Sequence, residues 1–274
     1  MGPAYKRITL CFFSAISINA AAATLPANNN YAQQSLNPSV TNYVTELSPL
    51  QKEKITTYSG IITNHLNKNF SIIRTVRILT KHSPQDVTSI LVAAYQQQPE
   101  HITAISRAVI RSEPALTNDV VATALTVAPE RCDEIVAMAI NAEPGYIDDI
   151  VATAVNHKPE KLDSIVRIAI TAEPDLSGSV VRSAAETSPN NFFGAVLNSI
   201  KSLPKSTKNV YYAVKDFFIE QNTSRQTDLP ETTPEHWQQF IERAKQSGVT
   251  REELEWFKEK GYISEQQLTT AFNQ

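Results

Sequence analysis

The chain has 274 residues, only seven of them glycine, and its formal net charge at pH 7 is −3. This slight acidity gives no electrostatic footprint for nucleic acid. The glycines are scattered, which excludes a glycine-rich phosphate-binding loop, and no G-x-S-x-G elbow is present.

The N-terminal segment, 1–23, is predicted to be a secretory signal peptide. Lys6 and Arg7 supply the charged start, residues 8–18 are mostly apolar, and a run of alanines offers cleavage sites. The apolar stretch is too short to span a bilayer, and no other stretch is long and apolar enough. We therefore expect export, with no transmembrane segment left after the signal is removed.

Loss of this segment changes both the charge and the cysteine content of the chain. Lys6 and Arg7 leave with it, so the formal charge moves from −3 to −5. Cys11 also leaves, unless it is lipidated, an alternative that Leu10 disfavours because a small residue is needed before such a cysteine. Cys132 then remains alone and cannot form an internal disulfide. We expect it to be a small core residue, with a reactive or intermolecular thiol as the alternative.

The next segment, 24–47, is predicted to be a disordered tether, because Asn, Gln, Ser and Pro dominate it and no apolar phase is present. Ser48 and Pro49 match an N-cap and a first helical position, so they predict the start of the first helix. The helical array is expected to occupy residues 48–218.

Prolines divide most of this array into units of fifteen residues. They are Pro84, Pro99, Pro114, Pro129, Pro144, Pro159, Pro174, Pro189 and Pro204. Proline makes up about 5% of ordinary sequence, so nine such positions in phase indicate a repeat. Units this short cannot bury an apolar face alone and must stack on their neighbours.

Each unit carries one helical stripe. Counted from the proline, apolar residues fall at positions 4, 7, 8, 11 and 12, steps that share one face of an α-helix. In the sixth unit they are Leu162, Ile165, Val166, Ala169 and Ile170. Position 11 is alanine in six of the nine units, which permits a close approach of neighbouring helices.

Two registers fit the repeat. We predict a continuous helix in each unit with the proline at its first position, where no amide hydrogen is needed. The alternative is a short proline-led turn followed by a helix capped at position 5, which carries residues of the N-cap type. They are Thr88, Thr103, Asn118, Asp133, Asp148 and Asp163.

The units also alternate with a period of thirty. Glutamate follows the proline in three alternate units and precedes it in the units between them. Two kinds of helix suggest an αα-hairpin, with one helix in each layer of a superhelix. The arrangement resembles an α-solenoid of the HEAT or armadillo kind built from shorter units. The resemblance implies an α-solenoid of short antiparallel helices. We therefore predict an all-α fold, with a small helical module after the array.

Both ends of the array depart from the pattern. Residues 55–83 keep helical spacing but have no proline in phase, and the last units become aromatic. The aromatic residues are Phe192, Phe193, Tyr211, Tyr212, Phe217 and Phe218. We interpret them as the atypical end of a solenoid, with a docking surface as the alternative.

A linker at 219–233 separates the array from a small three-helix module at 234–274. Thr250 and Ser264 each stand three residues before a Glu or a Gln and predict capped helix starts. Gly261 is placed to end the middle helix.

The run 252–268 resembles the bacterial short C-terminal domain, a SHOCT-like helix–Gly–Ile–Ser/Thr–helix hairpin. The matching residues are Leu254, Gly261, Ile263, Ser264 and Leu268. Trp256 departs from the usual polar character of its position. The resemblance implies an element for oligomerisation or docking, with no chemistry of its own.

No compact constellation for catalysis is present. The five histidines lie more than four residues from one another and from Cys132, which excludes a metal motif of short spacing. Adjacent carboxylates such as Asp148 and Asp149 point about 100° apart on a helix and do not form an acid–base pair. We predict no catalytic, cofactor or metal site, and surface positions for the histidines.

Position 9 is the candidate binding face, because it flanks the buried stripe and varies in character. Arg107 and Arg182 have no carboxylate four residues before them and are the candidates to line a groove. Tyr211, Tyr212 and Trp256 are further candidates for protein contact.

Signal, tether, array and docking-like tail together predict an exported, non-enzymatic scaffold. We expect a structural subunit of a multi-protein bacterial cell-envelope assembly, such as the outer-membrane-associated part of a secretion system. Its partners would be other envelope proteins, in the periplasm or at the outer membrane. One alternative is a secreted effector or adhesin that binds a host protein. The other is an αα-fold enzyme, which the aliphatic inward positions disfavour.

Overall fold

A computed structural model describes residues 47–202, 210–216, 234–246 and 248–273, which belong to one compact unit, Leu36–Gln274. Every regular element among these residues is helical, which confirms the all-α fold class. The predicted signal peptide, nearly all of the tether, the linker 219–233, Phe217 and Phe218 lie outside the described residues.

The helices are numbered here in chain order. Those of the array are α1 (Pro49–Asn67), α2 (Ile72–His82), α3 (Val87–Gln97), α4 (Ile102–Ser112), α5 (Thr117–Val127), α6 (Cys132–Ala142), α7 (Ile147–His157), α8 (Leu162–Ala172), α9 (Ser177–Thr187) and α10 (Phe192–Ser202). Residues 210–216 are also helical. The C-terminal module contains α11 (Pro234–Gln246), α12 (Arg251–Glu259) and α13 (Glu265–Phe272).

The seven units led by Pro84 through Pro174 are built alike. Each begins with a three-residue 3-10 turn headed by the proline, continues as an 11-residue α-helix, and ends with one connecting residue. The predicted continuous helix with proline at its first position is therefore wrong. The alternative is correct about the proline-led turn, but the α-helices begin at position 4 and no side-chain cap precedes them.

The connecting residue explains this geometry. Gln98 donates its N–H to the carbonyl of Ala94 at 3.0 Å, and its own carbonyl accepts from the N–H of His101 at 3.0 Å. Its φ of −141° and ψ of 72° lie outside the helical region, as steric contact with the following Pro99 requires. The backbone thus closes each turn, and in two units a hydroxyl, that of Thr117 or Ser177, also donates to the carbonyl of the proline.

The array has two layers. Extensive contacts join helices that are two apart in the chain, while neighbours in sequence pack across from one another. The odd layer therefore contains α1, α3, α5, α7 and α9, and the even layer contains α2, α4, α6, α8 and α10. This arrangement confirms the predicted thirty-residue period.

The core follows the predicted stripe. Positions 7 and 11 are fully buried in every unit from α3 to α10, with Ile90 and Ala94 as the first examples. The same register extends back to α2, where Ile72, Val76 and Thr80 are buried at positions 4, 8 and 12. The helix α2 is therefore a repeat unit without the proline.

Successive helices of one layer touch through positions 10 and 5, which are 35 residues apart in sequence. Thr123 Oγ1 lies 3.5 Å from Thr88 Oγ1, and Asn198 Nδ2 donates to Asp163 Oδ2 at 2.8 Å. Ser183 Oγ similarly donates to the backbone carbonyl of the residue at position 5 in α7, at 2.7 Å. Position 5 thus joins neighbouring helices and does not cap its own.

The C-terminal module packs on the end of the even layer. Phe193 of α10 lies with its ring centroid 4.8 Å from that of Trp237 and 6.3 Å from that of Phe240. The ring centroids of Tyr211 and Phe257 are 5.8 Å apart. The aromatic end of the array is therefore covered by the module of the same chain.

The local signals in this module are confirmed. Thr250 and Ser264 each form a capping box with the residue three positions later. Gly248 and Gly261 have φ values of 82° and 80°, which glycine adopts without steric cost, and they follow the ends of α11 and α12.

Candidate interaction surface

The two layers divide the residues at position 9 into separate sets. Arg107 lies on α4 in the even layer, whereas Arg182 lies on α9 in the odd layer. Both side chains are exposed. They do not share one groove, because consecutive units alternate between the layers.

Arg107 borders a groove between α2 and α4 of about 400 Å³. Ile73, Ala104 and Ala108 supply its apolar lining, and Arg77 and Arg111 join Arg107 around it. We call this feature the α2–α4 groove. Sequence reasoning identified Arg107 but missed Arg77, since α2 has no proline to reveal its register.

Arg182 borders a smaller depression of about 270 Å³ beside α9, at the C-terminal end of the odd layer. The carboxylate-bearing residues Asp175 and Asp216 share its lining with Gly178. The guanidinium therefore lies in a mixed-charge setting, which gives this depression no strong preference for an anion or a cation.

A third open groove of about 630 Å³ follows one face of α1. Most of the residues that line it carry a hydroxyl or an amide, including Thr56, Ser59, Thr63 and Asn64. Gln97 of α3 donates through Nε2 to Ser59 and Thr63, at 3.0 and 2.7 Å. A polar outer face of this kind suits the first helix of a repeat array.

Tyr211 and Tyr212 have different environments. Tyr211 is buried, and burial raises the pKa of its hydroxyl to about 12. Tyr212 is 43% exposed, and its hydroxyl lies 3.4 Å from Glu253 Oε1 of α12. Tyr212 is thus the accessible member of the pair, while Tyr211 is part of the joint with the module.

Trp256 is half-buried within the module. Its ring is nearly perpendicular to that of Phe257, with centroids 5.0 Å apart, and lies 6.1 Å from Tyr262. One side of the indole therefore packs in the aromatic cluster, and its remaining surface is available for contact.

A charged cluster fastens α1 to the first proline-led turn. Lys54 Nζ lies 2.6 Å from Asp86 Oδ1, and the hydroxyl of Tyr58 donates to Asp86 Oδ2 at 2.8 Å. Both hydrogen bonds favour the carboxylate and hold the pKa of Asp86 below its usual range, while the same contact raises the pKa of Lys54. This cluster stabilises the fold.

One buried polar contact was missed by the sequence reasoning. The hydroxyl of Tyr95 lies 2.5 Å from Ser106 Oγ, where α3 faces α4 across the layers. Burial strongly raises the pKa of Tyr95, so the phenol stays protonated. The pair satisfies two polar groups inside an aliphatic core and is structural.

Residues of catalytic type are dispersed. Cys132 is fully buried in α6, and burial raises the pKa of its thiol, as expected of a core residue. His65 and His236 are half-buried, not surface residues as predicted, because each packs against a phenylalanine. In the part of the chain that the structure describes, no three His, Cys, Asp or Glu side chains converge to hold a metal ion.

None of the described helices combines the length and the apolar character needed to cross a bilayer. Comparison of the chain with protein families, curated proteins and solved structures found no match.

Proposed function

We propose that the protein is an exported, non-enzymatic interaction protein, a structural subunit of a bacterial cell-envelope assembly such as the outer-membrane-associated part of a secretion system. The observation that carries the proposal is the two-layer array itself. Its inward positions are filled by aliphatic residues, and its outward positions border open grooves on α1 and between α2 and α4. Extended surfaces of this kind suit contact with other proteins.

Export is the second element of the proposal, and it rests on the signal-like segment 1–23. Lys6 and Arg7 form its charged start. Because that charge is needed for targeting, a variant with Lys6→Glu and Arg7→Glu should remain in the cytoplasm. A control variant with Lys52→Glu, a single charge reversal in α1, should still be exported.

We also propose that the C-terminal module is a docking element. We place the run 252–268 with the SHOCT-like short C-terminal domains, and the array with α-solenoids of the HEAT and armadillo kind. The burial of Leu254, Ile263 and Leu268, together with the positive φ of Gly261, supports the hairpin geometry that the first resemblance requires.

Fractionation of the native bacterium, followed by mild purification of the full chain, tests the proposed function. We expect the protein in the envelope fraction, together with other envelope proteins in stable proportion. Recovery from the culture medium would favour a secreted effector or adhesin, and recovery as a lone soluble monomer would contradict the assembly role. Clear turnover in a broad hydrolase and transferase screen would contradict the non-enzymatic assignment.

A further inference from the structure

Three arginines, Arg77, Arg107 and Arg111, line the α2–α4 groove, and Lys81 lies one helical turn beyond Arg77. Arg77 and Lys81 occupy positions 9 and 13 of α2, and Arg107 and Arg111 occupy the same positions of α4. All four side chains are exposed. Positions 9 and 13 are one helical turn apart, so each helix presents two cations on one face. We call these four residues the basic quartet.

The fold does not need this charge. The next helix of the even layer, α6, has Ala137 and Asn141 at positions 9 and 13. Like charges one turn apart on a helix repel each other and weaken it slightly. The quartet therefore costs the free protein some stability, and an anionic occupant would remove that repulsion.

The charge is also locally unbalanced. Neither α2 nor α4 contains an acidic residue, although the whole chain is acidic. Among the described residues, none of the quartet takes part in an ion pair; the pKa of Glu134 is lowered chiefly by its hydrogen bond with Arg131, and Arg107 adds a smaller effect at longer range. These cations are available to a partner.

The surroundings favour a narrow anionic occupant over a broad one. The carboxylates of Glu100 and Glu113 lie in the turns at the two ends of α4, and Glu134 lies on the adjacent α6. A broad anionic surface such as a membrane that covered α4 from end to end would come near these carboxylates and be repelled by them. A polypeptide lying in the groove would meet the quartet and the apolar lining of Ile73, Ala104 and Ala108.

We propose that the α2–α4 groove binds an acidic segment of another protein, whose carboxylates pair with the basic quartet while small apolar side chains contact the groove lining. This inference rests on the proposed role as an interaction protein and specifies one of its contact sites. Helices of 11 residues are about 17 Å long, so about five residues of extended chain span the groove.

A labelled peptide of alternating glutamate and alanine residues is the probe, and the same peptide with glutamine in place of glutamate is its control. Binding to the full chain is measured by fluorescence anisotropy at low and high salt. The test variant carries Arg77→Glu, Lys81→Glu, Arg107→Glu and Arg111→Glu. The control is Arg167→Glu, a single charge reversal at position 9 of α8 in the same layer. Circular dichroism confirms that both variants fold, and a second variant with glutamine at the four positions removes charge without reversing it.

We expect the glutamate peptide to bind and the glutamine peptide not to bind. The quartet reversal should weaken binding at least about tenfold, because all four ion pairs are lost and like-charge repulsion replaces them. Arg167→Glu should leave affinity within about twofold, the glutamine variant should fall between them, and binding should weaken with salt.

Equal affinity of the quartet reversal and the wild type would overturn the proposal. So would quartet-dependent binding to vesicles of phosphatidylglycerol and phosphatidylethanolamine without peptide binding, which would assign the groove to a membrane. Self-association that the reversal abolishes, seen by sedimentation, would assign it to a second copy of the chain. Envelope partners that still co-purify with the quartet variant would overturn this site and leave the proposed function intact.

Discussion

The repeat array and the C-terminal module stabilise short helices by different means. In the array, α3 to α9 have no side-chain caps, and a proline-led turn sets each start. Its core is aliphatic, with small residues such as Ala154 where helices approach closely. In the module, α12 and α13 begin with capping boxes, α12 ends at a positive-φ glycine, and Trp237, Phe240 and Phe257 form the core.

This difference predicts how each region responds to damage. Stability in the array is distributed over similar units that contact mainly their neighbours. Stability in the module depends on a few large rings, because so short a segment buries little aliphatic surface. The effects of substitutions in the two regions should therefore differ in size and in reach.

Trp237→Ala should produce the largest loss. The side chain is buried between α10 and the rest of the module, and truncation of such a ring costs about 3–5 kcal/mol. Hydrogen exchange should therefore accelerate in α10 to α13 and remain unchanged in α3 to α7. The control is Trp256→Ala, which is half-buried and should have a much smaller effect. Uniform acceleration along the chain would contradict the separation of the two regions.

Ala154→Leu tests the close approach of helices in the array. Position 11 is fully buried, so three added carbons overpack the interface and should cost about 1–3 kcal/mol. Ala152→Leu, at the half-buried position 9 of the same helix, should cost much less. Urea unfolding monitored by circular dichroism measures both, and equal losses would show that the layers are not tightly packed at position 11.

The same substitution should have opposite signs in the two regions. Gly261 of the module has a φ of 80°, so Gly261→Ala should destabilise by about 1–2 kcal/mol. Gly60 lies inside α1, and a Cβ there meets no atom within 4 Å. Gly60→Ala should therefore stabilise by about 0.8–1 kcal/mol through helix propensity. Differential scanning calorimetry gives both shifts, and a shared sign would refute the assigned backbone geometry.

Protonation of Asp86 at low pH should destabilise the array more than protonation of Glu265 destabilises the module. The pKa of both carboxyls is lowered in the folded state, so each adds stability above its unfolded pKa, which is lost as the pH falls through the folded value. The side chain of Asp86 is 13% exposed and that of Glu265 is 55% exposed, so solvent screens the second more strongly.

Unfolding free energies near pH 7 and pH 3 measure this contrast. Asp86→Asn should reduce the acid sensitivity of the wild type, and Glu265→Gln should change it little. An unchanged pH dependence in the Asp86→Asn variant would remove the proposed role of the cluster with Lys54 and Tyr58.

The fold was largely predictable because its signals are local and repeated. The apolar stripe, the thirty-residue period and the capping residues Thr250 and Ser264 each follow from side-chain spacing alone. The proline-led 3-10 turn was not predicted as the first choice. The turn is held by hydrogen bonds of the backbone of the connecting residue. Because no particular side chain is needed for these bonds, the sequence pattern does not reveal them.

The candidate site was less predictable, because it depends on which helices become neighbours. Arg107 was found at position 9, yet Arg77 and Lys81 belong to a unit that has Asn69 in place of the proline. If the fifteen-residue apolar pattern is extended by one unit toward the N-terminus, Arg77, Lys81 and Arg107 fall in the same layer. The separation of Arg107 from Arg182 follows from the thirty-residue period, which puts their units in different layers.

Disulfide trapping tests the two-layer stacking most directly. The hydroxyl oxygens of Thr88 and Thr123 lie 3.5 Å apart on α3 and α5, so two cysteine side chains at these positions can reach each other. A variant with Thr88→Cys and Thr123→Cys should form this bond under mild oxidation, as seen by peptide mapping. The control, Thr88→Cys with Thr103→Cys, pairs helices of opposite layers and should remain reduced. Oxidation of the control in preference to the test variant would contradict the two-layer arrangement on which the proposed contact surface depends.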